Sequence, residues 1–314
     1  MQTARDVLTP DALAMLQAID TAGSFAAAAR AMGMVPSALT YRVRQIEDAL
    51  DVLLYDRSSR QAKLTRAGAE LLQEGGRLLL QIDAVANRVK RVATGWESQL
   101  TIAVDTVISK STVMELCESF FSLNPPTRIR LRDETLTGTL EALTSGQADL
   151  ALGVALDAAN IAGIQGKSLG SMEFVYVVAP HHPLANATEP LSDALIQQHR
   201  AVAVADSIQR GTGATFGLLS GQDVFTVGTM HAKLDAQLRG LGGGYLPLCM
   251  AGTYMDSGRL VVKKTERPQR QVPLSFAWRG ATTATQGRAL QWWLQQLESP
   301  ATRAALLEQH RGNS

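Results

Sequence analysis

Cysteine is nearly absent. Only Cys117 and Cys249 carry a thiol, too few for a disulfide framework and in keeping with a reducing compartment. Aromatic residues make up 5%, so the cores must be built mostly from aliphatic side chains. No uninterrupted apolar run approaches the roughly 18 residues that a membrane span requires. Arg5, Asp6 and Asp11 precede any apolar h-region, so no signal peptide is expected and the chain reads as cytoplasmic. An excess of one charge is missing too, because the net charge of +1 by itself points to no partner. His181-His182 has no spaced Cys, His or acid partners, so a turn is expected there and no metal site. Gly211-Thr212-Gly213-Ala214-Thr215-Phe216-Gly217 lacks the Lys-Ser/Thr ending of a phosphate loop and the Rossmann spacing, which leaves a flexible loop. No nucleophile-and-base motif is recognisable, so no catalytic residue and no cofactor are expected.

What is present is the composition of an ordinary globular chain, long enough for about two domains or three small lobes. Charge is distributed unevenly. Between Arg30 and Arg66, the bases Arg30, Arg42, Arg44, Arg57, Arg60, Lys63 and Arg66 outnumber Glu47, Asp48, Asp51 and Asp56 by three. The same stretch has helical punctuation. Thr9-Pro10-Asp11 supplies a hydroxyl cap, a proline at the first helical position and an acid in the first turn. That helix stops at Gly23, and Ser24 caps a second one from Phe25 to Met32. Pro36 opens a third helix reaching about Leu50. Leu39, Val43, Ile46 and Leu50 share one face of it. Ser37, Thr40, Tyr41 and Arg44 share the other, where hydroxyl, phenol and guanidinium groups suit base edges in a major groove. A hairpin is expected next: a strand Val52–Tyr55, a basic turn with Arg57, Arg60 and Lys63, and a return near Leu64-Thr65. Such cations favour the phosphate backbone.

Taken singly, each of these helices reads as a solvated face beside a charged loop; their succession carries more. Gly23-Ser24-Phe25, Ala28-Ala29-Arg30, Pro36-Ser37-Ala38-Leu39-Thr40, Ile46-Glu47, Leu50, Asp56-Arg57, Leu64-Thr65 and Ala67-Gly68 together resemble the N-terminal signature of LysR-type transcriptional regulators. Met32, Asp51 and Tyr55 depart from the usual Leu, Gly and Phe. The resemblance implies a winged helix-turn-helix over residues 1–66 that binds double-stranded DNA. Its contact residues are expected to be Ser24, Pro36, Ser37, Thr40, Tyr41, Arg42, Arg44, Arg57, Arg60 and Lys63.

From 67 to 95, Leu71, Gly75, Leu78, Ile82, Val85, Val89 and Val92 repeat at alternating steps of four and three, a heptad seam. A helix packed on its own domain is one outcome. The resemblance favours a linker helix that pairs two chains, as a dimer or within a tetramer, on a pseudo-palindromic site. Gly75-Gly76 allows a close approach or a bend.

Residues 96–314 alternate strand and helix, which argues for βαβ units and a mainly parallel sheet. Thr137 to Gly153, His182-Pro183-Leu184-Ala185 and Gly240-Leu241-Gly242-Gly243-Gly244-Tyr245-Leu246-Pro247 resemble the same family's effector domain. The α/β fold so implied is like periplasmic binding proteins: lobe I at about 96–173 and 279–314, lobe II at about 180–271, and crossover strands at about 174–179 and 272–278. A small-molecule effector is expected in the cleft, beyond the carboxyl ends of strands. Asp105, Thr106, Val107, Glu134 and Thr135 are candidates from one lobe, and Thr229, Met230 and Arg210 from the other. Hydroxyls and backbone N–H groups suit a carboxylate, whereas Asp105 and Glu134 suit an amine or hydroxyls, and the sequence leaves both open. The resemblance also admits RNA polymerase as a partner. Two competing functions are a binding protein without a DNA role, which has no use for residues 1–95, and a nucleotide-dependent enzyme, which lacks its phosphate loop.

Overall fold

The chain divides into two compact units, Met1–Val89 and Lys90–Ser314. A computed structural model describes residues 3–56, 62–155, 161–208, 216–268, 270–280 and 286–308. In the first unit a short helix α1 (Ala4–Val7), which sequence punctuation does not announce, precedes α2 (Pro10–Ala22), α3 (Phe25–Ala31) and α4 (Pro36–Leu50). The expected caps are in place: Thr9 Oγ1 accepts from Ala12 N–H and Ser24 Oγ from Ala27 N–H, each at 3.2 Å. Met15, Ile19, Ala28, Ala29, Leu39, Val43 and Ile46 close one core. The alanines of α3 let it lie close to its neighbours.

The described arms of the hairpin after α4 pair less than expected. Among the described residues the pairing reduces to a bridge between Tyr55 and Leu64, flanked by Asp56 N–H to Lys63 O at 2.8 Å and Thr65 N–H to Leu54 O at 2.9 Å. No regular strand forms over Val52–Tyr55, because the chain leaves α4 through Asp51 at φ 52° and Val52 and Leu53 remain exposed. The N–H groups of Leu54 and Tyr55 are taken by buried Glu47 Oε1, at 2.8 and 3.4 Å, instead of by a strand partner.

Helix α5 (Arg66–Thr94) follows. Its first turns pack Leu71, Leu72 and Gly75 on the core of the first unit. A Cβ at Gly75 would lie 2.8 Å from Leu13 Cδ2, so this glycine serves close approach to α2. Only the start of the seam is thus internal. Leu78, Ile82, Val85, Val89 and Val92 are exposed, Val92 by 87%.

In the second unit β1 (Gln99–Asp105), α6 (Lys110–Phe121), β2 (Arg128–Glu134), α7 (Gly138–Thr144) and β3 (Leu150–Val154) form the expected parallel βαβαβ order, with β1 between β2 and β3. The chain crosses over through β4 (Ile164–Val178). It continues through α8 (Asp193–Gln197), β5 (Ala201–Val204), β6 (Val224–Val227), α9 (Met230–Leu238), β7 (Gly244–Pro247), α10 (Leu248–Asp256) and β8 (Val261–Lys263). It returns by β9 (Arg270–Arg279) to α11 (Arg288–Glu298) and α12 (Pro300–Glu308). The main sheet runs β2-β1-β3-β9-β4-β7, with β8 also on β4, while β5 and β6 pair in parallel beside it.

The crossover strand is longer than its apolar stretch at 174–179 suggests. It begins at Ile164 and pairs antiparallel with β9 from Ile164–Arg279 to Phe174–Arg270. Polar residues such as Lys167, Ser168 and Glu173, a glycine at 170 and a register shift there hide it from a periodicity reading. Within this unit β4 and β9 join the lobe built on β1–β3 to the lobe built on β5–β7.

Candidate functional site

Two sites stand apart in kind. On α4 the buried stripe Leu39, Val43 and Ile46 holds the helix down, so the opposite stripe must face solvent. Ser37, Tyr41, Arg42 and Arg44 are exposed, Tyr41 by 62%, and Pro36 begins the helix beside them. Thr40 is half-buried, and its hydroxyl donates to Pro36 O at 2.9 Å, which leaves its oxygen as an acceptor. Tyr41 Oη accepts from Gln45 Nε2 at 3.3 Å and keeps its own proton to donate. Ser24 is committed to capping α3. Lys63 is exposed on the returning arm of the hairpin. Arg57 and Arg60 lie outside the described residues. Glu47 is the residue that sequence patterning missed: it sits on the buried side of α4 and anchors the hairpin through two backbone N–H groups.

In the second unit the carboxyl ends of β1 and β2 meet the segment that follows β5. Thr135 Oγ1 donates to Ala205 O at 2.5 Å, and Thr135 N–H donates to Ser207 Oγ at 2.8 Å. Ser207 Oγ donates to Glu134 Oε2 at 2.7 Å, and Thr137 Oγ1 to Asp206 Oδ2 at 2.5 Å. The N–H of Met230, at the start of α9, reaches Thr106 Oγ1 at 3.4 Å. Residues from the two lobes therefore converge, as expected for Asp105, Thr106, Glu134, Thr135 and Met230. Val107 is buried at the same turn and donates its N–H to Asp105 Oδ1 at 2.9 Å. Thr229 acts as the cap of α9, its hydroxyl accepting from Ala232 N–H at 3.1 Å. Arg210 lies outside the described residues.

Asp105 is buried where the ends of β1 and β2 meet. Burial pushes its carboxyl up to about 7. That value is the net outcome: hydrogen bonds from Val107 and Leu136 N–H pull against burial, while the charges of Asp206 and Glu134 act with it. The Leu136 N–H reaches Asp105 Oδ2 at 2.9 Å from a backbone at φ 55°, a conformation a bulky residue adopts only when its surroundings demand it. Glu134 is also paired with Arg132 at 2.8 Å. Asp206 and Ser207 were missed by the sequence analysis, although they follow β5 and so obey the rule that selected Asp105. Among the described residues no group of three or more His, Cys, Asp or Glu is placed to hold a metal ion. No single helix there is long and apolar enough to cross a membrane.

Comparison with known proteins identifies the family of both units. Residues 10–69 match the family model described as bacterial regulatory helix-turn-helix protein, lysR family, and residues 93–301 match the LysR substrate binding domain. The chain is 37% identical over 283 residues to the uncharacterised HTH-type transcriptional regulator YeeY of Escherichia coli K12, covering 90% of this chain and 91% of YeeY. It is 34% identical over 290 residues to the probable HTH-type transcriptional regulator YhaJ of the same strain, covering 92% and 96%. Among solved structures, full-length CbnR in complex with its target DNA superposes with a TM-score of 0.59 at 17% identity, covering 92% of this chain and 99% of that one. Full-length LysG of Corynebacterium glutamicum with bound effector Arg gives 0.52 at 21% identity, covering 96% and 99%. At those identities the two structures speak to the fold alone.

Proposed function

The chain belongs to the LysR family of transcriptional regulators, DNA-binding proteins with an effector domain and not enzymes, and from that premise we propose which residues perform each task. Ser37, Thr40, Tyr41 and Arg44 on α4 meet base edges in the major groove. Arg42, Lys63, Arg57 and Arg60, with the hydroxyl proton that Ser24 keeps while capping α3, hold the flanking phosphates, and Pro36, which has no N–H to donate, makes an apolar contact beside them. The observation that carries this assignment is the two-faced α4, buried along Leu39, Val43 and Ile46 and exposed on the opposite side at Ser37, Tyr41 and Arg44.

Two copies of the chain join through the exposed seam of α5 and place two recognition helices on successive major grooves. Pairs of such dimers form the tetramer. The effector binds where Asp105, Thr106, Glu134, Thr135 and Met230 converge and shifts the population of lobe arrangements. The shift is limited to the effector's differential affinity for the two states. Bound at a promoter in the cytoplasm, the protein then meets RNA polymerase.

The test is to incubate the purified protein with fragmented genomic DNA at near-physiological salt and footprint the most enriched piece. Two protected half-sites on one face of the duplex are expected. An absence of enrichment at every salt concentration tried overturns the assignment of α4.

A further inference from the structure

Behind the cleft wall, α9 carries two polar side chains where its apolar stripe requires core residues. Met230, Lys233, Leu234 and Gln237 lie on its buried face, with Lys233 7% exposed and Gln237 fully buried. Among the described residues neither the nitrogen nor the oxygen of the Gln237 amide has a hydrogen-bond partner. Among the described residues Lys233 Nζ has no carboxylate or hydrogen bond to satisfy it. Burial, joined by the like charge of Arg270 at the start of β9, holds its pKa down to about 8. Both side chains end over Gly244. A Cβ there would stand 3.0 Å from Gln237 Nε2 and 3.4 Å from Lys233 Nζ, with Val202 O at 3.2 Å. Gly244 sits at φ 155°, so the backbone there also disfavours a side chain that would fill the place. Orphaned buried polar groups of this kind are rare, because each forfeits its hydration without a replacement.

We propose that Lys233 and Gln237 are the specificity-determining residues of the effector site and take the carboxylate of a 2-hydroxy or 2-amino acid. The proposal rests on the effector-controlled function above and names the ligand class. Lys233 lies one turn along α9 from Met230, whose N–H already reaches Thr106 of the other lobe. The ammonium and the Gln237 N–H groups are donors that match carboxylate oxygens. Gln237 Oε1 is an acceptor with nothing to accept from, so it calls for a hydroxyl or amine beside the carboxylate. A simple carboxylate leaves that acceptor unsatisfied, and a fully ionised oxoanion such as sulfate does the same. The carboxylates Asp105 and Glu134 suit the donor end of such a ligand.

The test uses the full-length protein, with thermal shift and calorimetry against glycolate, L-malate and L-serine as probes. Propionate, sulfate and putrescine are the controls. At least one 2-hydroxy or 2-amino acid should bind at least tenfold more tightly than propionate or sulfate. Its affinity should fall about tenfold per pH unit above the pKa of Lys233, because only the ammonium binds the anion. Lys233→Met should abolish both the binding and the pH slope while raising the melting temperature of the ligand-free protein. Gln237→Glu supplies an internal carboxylate for Lys233, so it should raise the melting temperature and block the acids even if Lys233→Met folds poorly. Binding that survives Lys233→Met unchanged overturns the proposal, as does equal binding of propionate and sulfate, or no binding of any acid. Putrescine binding alone overturns it too, yet leaves the regulator function standing. That function is tested separately by the DNA footprint made without added ligand.

Discussion

The two units place their chemistry in opposite environments. The first exposes it: Tyr41 and Arg44 project from α4 into solvent, and the buried side of that helix exists to aim them. The second buries it: Asp105, Thr106, Glu134 and Thr135 are all buried, and so are Lys233 and Gln237 on α9. The difference follows from the partners. A phosphate backbone and groove edges are large and wet, so exposed donors on a rigid helix suffice. A small molecule is recognised by enclosure, so its site must be assembled from several strand ends and carries desolvated groups with displaced pKa values.

Charging the exposed seam tests the first unit most severely. Ile82→Glu with Val85→Glu should give monomers by sedimentation and lower operator affinity by about 10²–10⁴-fold, the advantage of bivalent attachment. Asp105→Asn addresses the second unit. The folded-state pKa of Asp105, about 7, lies above its ordinary 3.8, so the stability this group contributes is full below 3.8 and is lost as pH rises from there through about 7. That loss, on the order of several kcal/mol at full burial, should vanish from urea titrations of the variant across the same window.

Glu47→Ala should destabilise the first unit by about 2–3 kcal/mol, since two backbone N–H groups lose their acceptor, whereas Glu47→Gln should be much milder. On the exposed face, Tyr41→Ala or Thr40→Ala should relax site preference by roughly 1–3 kcal/mol. Lys63→Ala should weaken all DNA alike and reduce the salt slope by about 1. The reverse pattern would exchange their roles. Asp51→Gly is the smallest change expected. Relief of the φ 52° backbone is set against the greater entropy of the unfolded chain, for a net effect within about 1 kcal/mol in chemical denaturation.

The amino-acid sequence by itself determined helices α2 to α4 of the first unit. Caps at Thr9 and Ser24, Pro36 at a helix start and two clean stripes on α4 are local signals, each readable within one or two turns. The family signature lay in the same residues. The βαβ order of β1 to β3 was legible for the same reason, because each strand is a short apolar run between turns. Only the tertiary structure decided the rest. Glu47 looked like a solvated acid until Leu54 and Tyr55 were placed beside it. The seam of α5 looked uniform until Leu13 claimed Gly75 and left Leu78 onward bare. Strand β4 was half hidden because its pairing with β9 spans about a hundred residues of intervening chain, and polar residues tolerate that pairing. Asp105, Thr135 and Ser207 are neighbours only because strand ends distant in sequence meet, and no periodicity along one segment encodes such a meeting.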